Sequence, residues 1–217
     1  SLEVIGDALF CGHHEGTFRV EEDRVIPVAK IAGTWNLQQL TPNLIIQGNY
    51  SGLYILERKE TGWQLRNKLE GFDISSRYFA FSDPQQLYVS HEYKGVFKLR
   101  IDKDFQRITE STLLEQIPKG AKSSIFEYNN DVLYAYDEGI FRLNKTTQVF
   151  EKDSILSNAF LESGNYSSGK LTYDAFNNRL WAFNAQEVLY FEPGILADQL
   201  KVRRIALPSK TRKDIPG

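Results

Sequence analysis

The residues best suited to chemistry in this 217-residue chain lie in short polar turns. All three histidines, His13, His14 and His91, occupy the same place in a repeated pattern. His13 and His14 cannot readily chelate one metal ion together, because adjacent residues on a strand point to opposite faces. The sequence contains no His-x-x-x-His or Cys-x-x-Cys pair and no Asp-x-Asp-x-Asp loop. It therefore predicts no metal ion and no cofactor.

The sequence also predicts no catalytic residues. A Gly-x-Ser-x-Gly motif is absent, and all three histidines share one turn position instead of complementary positions for a Ser-His-Asp triad. Glycosidases need two carboxylates across a cleft, and four acidic turn residues are candidates by position: Glu15, Glu92, Asp137 and Glu138. Because acidic residues in tight turns usually serve solvation and local hydrogen bonding, a glycan-active enzyme is the less favoured alternative.

Several turn residues combine aromatic rings with amide and carboxylate groups. Such a combination suits sugars, which offer CH faces for stacking and hydroxyls for hydrogen bonding. The candidate ligand-binding residues are His13, His14, Asn49, Tyr50, His91, Glu92, Tyr93, Asp137 and Asn184. We expect them to gather at one face of the fold, where they either bind a ligand or are ordinary solvated turn residues.

Composition limits the partners. The net charge of −2 gives no electrostatic reason to expect nucleic acid. No stretch approaches the roughly 18 apolar residues that cross a bilayer. Cys11 is the only cysteine, so an intrachain disulfide is impossible. Because the chain contains no methionine, we expect it to be a piece of a longer protein or a mature segment.

The elements that position these turns recur along the chain. An apolar run, a polar turn, a glycine and an aromatic residue make a cassette that occurs five times, at 8–18, 44–54, 87–97, 132–141 and 180–190. The anchor positions are Gly16, Gly52, Gly95, Gly139 and Val188, where the glycine is lost. Their separations of 36, 43, 44 and 49 residues lie near the period of four-stranded propeller blades.

Each cassette predicts a hairpin, because glycine supplies the positive φ of a tight turn and the aromatic begins the return strand. Flanking segments complete the blades. First strands are predicted at Thr34–Gln39, Arg77–Phe81, Ser123–Tyr128 and Lys170–Asp174. Outer strands are predicted at Val25–Val28, Trp63–Asn67, Gln106–Thr109, Gln148–Glu151 and Lys201–Ala206. Ser111–Gln116 and Asp153–Leu161 are predicted as short helical turns between blades.

The fold class is therefore predicted as all-β, a β-propeller of about five four-stranded blades that forms a segment of a larger propeller. The predicted blades span 1–30, 31–70, 75–110, 120–152 and 168–207, and 208–217 is a connector to a further blade or domain. Because open sheet edges and unpaired blade faces are liabilities, a second copy of the chain is one way to cover the open end.

The cassette resembles the two-component regulator propeller repeat, which occurs in the sensor regions of bacterial membrane-bound regulators, especially in the Bacteroidetes. The best matches are Leu87–Leu99 and Asn177–Phe183. The resemblance implies a periplasmic ectodomain of an inner-membrane protein, followed by a triple-tyrosine β-sandwich, a transmembrane helix and a cytoplasmic output module. It also implies a small-molecule or oligosaccharide ligand at one propeller face.

The leading hypothesis is consequently a ligand-sensing propeller of a transmembrane signalling protein, whose partners are its ligand and the rest of that protein. The alternatives are a structural propeller that docks other proteins and, less favoured, a propeller-type enzyme. Exposed apolar patches would favour docking, and converging carboxylates in a deep cleft would favour the enzyme.

Overall fold

The structure, a computed structural model, describes residues 1–120, 123–162, 171–183, 187–194 and 200–207. Within these ranges the chain forms five four-stranded antiparallel sheets, and the strands of each sheet neighbour one another in chain order. This up-and-down arrangement is that of a propeller blade. The prediction of an all-β fold built from five four-stranded blades is confirmed.

The strands of the five blades have the following bounds. The first blade contains β1 (Leu2–Ile5), β2 (Ala8–His13), β3 (Gly16–Val20) and β4 (Val25–Ala29). The second contains β5 (Asn36–Thr41), β6 (Leu44–Asn49), β7 (Gly52–Lys59) and β8 (Gly62–Lys68). The third contains β9 (Tyr78–Asp83), β10 (Gln86–His91), β11 (Gly95–Ile101) and β12 (Ile108–Leu113).

The last two blades are separated by a helix. The fourth blade contains β13 (Ser124–Tyr128), β14 (Asp131–Tyr136), β15 (Gly139–Leu143) and β16 (Phe150–Lys152), and the helix α1 (Ser154–Glu162) follows it. The fifth blade contains β17 (Leu171–Asp174), β18 (Arg179–Phe183), β19 (Glu187–Pro193) and β20 (Leu200–Ala206). The predicted connector at 208–217 lies outside the described residues.

The chain divides into two compact units. The first comprises Ser1–His91 and Val96–Leu114, and the second comprises Glu92–Gly95 and Glu115–Gly217. Two apolar layers hold the first unit together, one between the first and second blades and one between the second and third. Ile5, Phe10 and Ile45 belong to the former layer, and Ile55 and Leu87 belong to the latter. Alternating side chains put apolar residues on both faces of the central blade, as these layers require.

In the second unit, α1 contributes to the core. Leu156 and Phe160 of the helix pack in one apolar cluster with Leu133, Leu180 and Phe191 of the neighbouring blades. At nine residues the helix is too short to be stable alone in water, so this packing must supply its stability. No helix in the described parts of the chain, α1 included, is long and apolar enough to cross a membrane.

Two local predictions were wrong. The first half of the segment predicted as a helical turn at Ser111–Gln116 lies in β12, which ends at Leu113 and pairs with β11. Its β-branched residues favour a strand. The predicted outer strand at Gln106–Thr109 begins later, because Asp102 accepts hydrogen bonds from the backbone N–H groups of Gln106 and Arg107 and holds a turn there.

Candidate functional site

Asn49, which the sequence placed among the ligand-binding residues, is fully buried. Its amide nitrogen donates to the Thr34 hydroxyl (2.9 Å) and to the carbonyl oxygens of Ile31 (3.2 Å) and Ala32 (3.4 Å). Its amide oxygen accepts a hydrogen bond from Gln47 (2.9 Å). The expectation that Asn49 lies at an open face is therefore wrong. Its side chain holds the loop that enters the second blade.

A buried hydrogen-bond network extends from this amide into the first blade. Thr17 donates to the side-chain oxygen of Gln47 (2.6 Å), and its hydroxyl lies 2.9 Å from that of Thr34. Thr17, Thr34 and Gln47 are all buried. Because unpaired polar groups are costly in a protein interior, such a network fixes the relative position of the chain segments that contribute to it. The 31–35 loop is thus held rigidly against β3 and β6.

Above this network, Tyr50 packs on the backbone of the same loop. A Cβ atom on Gly33 would lie only 2.3 Å from the Tyr50 ring, and Gly33 has a φ of +74°. Both facts require glycine here. The Tyr50 hydroxyl lies 3.1 Å from Nδ1 of His14, and the two rings meet edge to face at 5.7 Å. The turns of the first and second blades are therefore in direct contact.

A tryptophan and an arginine continue the aromatic cluster. Trp35 meets Tyr50 edge to face at 5.5 Å. The Arg77 guanidinium lies 4.7 Å from the centre of the Trp35 ring and 5.0 Å from that of Tyr78. Such distances give favourable cation–π interactions. We call His14, Trp35, Tyr50, Arg77 and Tyr78 the aromatic–arginine surface.

The chemistry available at the aromatic–arginine surface is that of a binding site. His14 is exposed, Tyr50 is 41% exposed, and Arg77 is half-buried. Every residue of the first unit is described, and none of its carboxylates forms an ion pair with Arg77. The rings can stack on an apolar face of a ligand, while Arg77 can donate hydrogen bonds to hydroxyl or carboxylate oxygens.

His13 and His14 point in different directions, as expected for adjacent residues. The His13 ring packs against Phe18 at 6.3 Å, and its Nδ1 accepts a hydrogen bond from the backbone N–H of Glu15 (3.3 Å). Among the predicted site residues, the structure brings His14 and Tyr50 into contact and gives His13 a local role in its own hairpin.

The other predicted site residues lie in later turns. His91 is half-buried at the end of β10, whereas Glu92 and Tyr93 are exposed in the turn that follows. Asp137 is exposed in the turn between β14 and β15. Asn184 lies outside the described residues.

Tyr136, the last residue of β14, precedes the turn that holds Asp137 and has a shifted pKa. Burial raises the pKa of Tyr136 to about 12, and a hydrogen bond to the Glu138 carboxylate and the nearby charge of Asp137 act in the same direction. The raised pKa extends the pH range over which the Tyr136 hydroxyl stays protonated and can donate a hydrogen bond. In the described residues, no group of three or more His, Cys, Asp or Glu side chains could hold a metal ion.

An open groove of about 330 Å³ lies elsewhere in the second unit, beside β15 and β16. Arg142 and Asp153 contribute to its lining, and they are already bonded to each other at 2.7 Å. Because these charges compensate one another, the groove offers a ligand less than the aromatic–arginine surface does.

Sequence reasoning missed Trp35, Arg77 and Tyr78. A signal was present: these residues lie at or just before the first strands of the second and third blades. In an antiparallel meander, the start of the first strand and the turn between the second and third strands lie at the same end of the sheet. Loops entering a blade should therefore be searched together with the hairpin turns.

Known proteins match this chain in structure but not in sequence. No family model matches the sequence, and no curated protein matches it. Solved structures do match. The extracellular domain of the hybrid two-component system BT3049 from B. thetaiotaomicron gives a TM-score of 0.62 at 13% identity, over 93% of this chain and 27% of that one.

Two further matches carry other descriptions. A protein described as a 6-phosphogluconolactonase from Bacteroides uniformis gives a TM-score of 0.61 at 10% identity, over 95% of this chain and 70% of that one. The WD40 β-propeller domain of Doa1 gives 0.56 at 11% identity, over 97% of this chain and 64% of that one. This chain thus spans less than a third of the sensor domain and about two thirds of the other two. At these identities the matches establish the β-propeller fold alone, since one fold hosts many functions.

Proposed function

We propose that this chain is a ligand-binding propeller in the extracytoplasmic sensor region of a bacterial signalling protein. The aromatic–arginine surface is the observation that carries the proposal. The fold likeness to an extracellular domain of a hybrid two-component system supports an extracytoplasmic location and a signalling role. The resemblance of the cassette to the two-component regulator propeller repeat supports the same location and role.

The proposed ligand is an oligosaccharide. Tyr50 and Trp35 present rings at different angles, with an interplanar angle of 70°, and can contact two faces of a sugar chain. His14 and Arg77 flank them with nitrogen groups that hydrogen-bond hydroxyls. An acidic sugar would add a charge-assisted hydrogen bond to Arg77.

Binding at this surface would act on the arrangement of blades. Its residues come from the turn of the first blade, the turn and entry loop of the second, and the entry of the third. A ligand that contacts all of these binds more tightly to the arrangement in which they lie close together. Signal transfer is then a population shift toward that arrangement.

Isothermal titration calorimetry with a panel of neutral and uronic-acid oligosaccharides tests the proposal. For a saccharide that binds, Tyr50→Ala should weaken affinity by about five- to tenfold, since a stacked ring contributes roughly 1–1.5 kcal/mol. Arg77→Gln should weaken the binding of acidic saccharides more than the binding of neutral ones.

The matched control is Phe176→Ala, which removes an aromatic ring that is 95% exposed in a turn of the second unit. The Phe176→Ala variant should bind each saccharide with the affinity of the wild type. Failure of every saccharide to bind a folded protein would overturn the oligosaccharide proposal. Equal weakening by Phe176→Ala would place the site elsewhere.

A further inference from the structure

The first blade has one covered face and one open face. Cross-strand pairing aligns Leu2, Cys11, Phe18 and Pro27 in one row across the four strands. A second row contains Val4, Leu9, Val20 and Val25. Paired residues in a sheet share a face, so these eight side chains form one surface. We call it the open face; it contains no charged residue.

This apolar face is exposed to solvent. Leu2 is 67% exposed, Val4 is 76% exposed and Val25 is 59% exposed. On the opposite face of the same blade, Ile5 and Phe10 are buried against the second blade. A contiguous exposed apolar surface on a sheet marks an interaction site.

The repeat itself indicates what covers such a face. In the second blade, Leu37 occupies the position that corresponds to Leu2, since it pairs with Gln47 as Leu2 pairs with Cys11. Ile45 and Leu56 pair as Leu9 and Val20 do.

All three of these second-blade residues are buried, whereas Leu2 is exposed and Leu9 and Val20 are only half-buried. They are covered by the far face of the first blade, through Ile5, Phe10 and Ala29. The position that Leu37 holds in the second blade is therefore covered by the preceding blade. The corresponding position in the first blade, held by Leu2, is exposed.

We propose that the open face packs against another propeller blade, one that continues this propeller and presents apolar residues at the positions of Ile5, Phe10 and Ala29. The comparisons favour this occupant over a second copy. The matched Doa1 propeller domain and the lactonase extend beyond this chain, which spans 64% and 70% of them. Ligand binding at the aromatic–arginine surface is not needed for this packing.

Cys11 offers a direct probe, because it lies within the open face and is the only cysteine of these residues. The experiment uses the complete natural protein that contains this chain and measures labelling by N-ethylmaleimide. Mass spectrometry follows the tryptic peptide that ends at Arg19. A cysteine introduced by Thr146→Cys, in an exposed turn, is the control thiol.

We expect Cys11 to react at least tenfold more slowly than the control thiol at every protein concentration, and equally fast in denaturant. Equal rates in the native protein would overturn the proposal. Protection that disappears on dilution would also overturn it, because the cover would then be a second copy.

A second variant tests whether the cover is a packed interface. Leu2→Lys should lower the melting temperature of the complete protein by several degrees, because Leu2 corresponds to the buried Leu37 and a charge there would be buried without a partner. Val149→Lys, at an exposed valine of the fourth blade, should leave it unchanged. If both variants have the melting temperature of the wild type, Leu2 is not covered and the proposal fails.

Discussion

Asp131 is held by two cations of its own blade. Arg142 donates to its carboxylate at 2.5 Å, and the Lys145 ammonium lies 2.9 Å away. Burial alone would raise the pKa of Asp131, but the hydrogen bonds from Lys145 and Arg142 outweigh it and hold the pKa below its ordinary value. Arg142 also bonds Asp153 at 2.7 Å, so this group of charges joins β14 to the start of α1.

The consequence is a defined pH dependence. A carboxylate whose pKa is lowered by folding stabilises the folded state above its unfolded pKa, and this contribution is lost as the pH falls through the folded pKa. Asp131→Asn should therefore lower the free energy of unfolding by about 1–3 kcal/mol at pH 7. The difference from the wild type should shrink progressively below about pH 4. Urea denaturation across that range measures it; a difference independent of pH would contradict the assignment.

At the residue scale, sequence reasoning identified turn positions but could not assign side-chain directions. Asn49 and Tyr50 are adjacent in one turn and looked equivalent, yet Asn49 is buried and Tyr50 is exposed. The difference arises because Asn49 ends β6 and points toward the 31–35 loop, whose carbonyl groups need donors. Only the tertiary structure reveals that need.

At the element scale, the Ser157 side chain is one of the contacts that attach α1 to the fourth blade. The short strand β16 pairs with Phe141–Leu143, and the Asp153 N–H bonds the Ile140 carbonyl at 2.9 Å, which leaves the Ile140 N–H for a side-chain partner. Ser157 is this partner. The Ser157 hydroxyl oxygen accepts a hydrogen bond from the Ile140 N–H, and the Ser157 O–H donates to the Ile140 carbonyl, both at 2.9 Å. Gly139 makes room, since a Cβ there would lie 2.7 Å from the serine hydroxyl oxygen.

Ser157→Ala should destabilise the protein by about 1–3 kcal/mol, because it leaves the buried Ile140 N–H without its partner. Urea denaturation measures the change, and faster hydrogen exchange of the Ile140 amide should accompany it. Ser154→Ala, at an exposed serine of the same helix, should change stability by less than about 0.5 kcal/mol. Equal effects of the two substitutions would contradict this attachment.

The elements were predicted well where local chemistry decides them. Four cassettes keep the glycine, and each of these glycines begins a third strand as predicted: Gly16, Gly52, Gly95 and Gly139. Prediction failed where packing decides. The segment at Asp153–Leu161 was expected to be only a turn, but Asp153 caps α1 by accepting from the Leu156 N–H, and packing then stabilises nine residues of helix.

At the scale of the whole molecule, the repeat alone was sufficient to predict five four-stranded blades. Each blade buries apolar side chains on a neighbour, and this requirement fixes the alternation within its strands. In the aromatic–arginine surface, only the turn residues His14 and Tyr50 were predicted. The surface also includes residues at the entry of strands, and its members come from three blades. Contacts between blades are not encoded in a single cassette.

Hydrogen–deuterium exchange with and without the oligosaccharide panel tests the central claim, ligand binding at the aromatic–arginine surface, most directly. A bound saccharide should slow exchange at residues 13–15, 31–36, 49–51 and 75–78, because these segments contribute or support its residues. No protection by any saccharide would contradict the claim. Protection confined to the turns at 92–94 and 137–138 would contradict it equally.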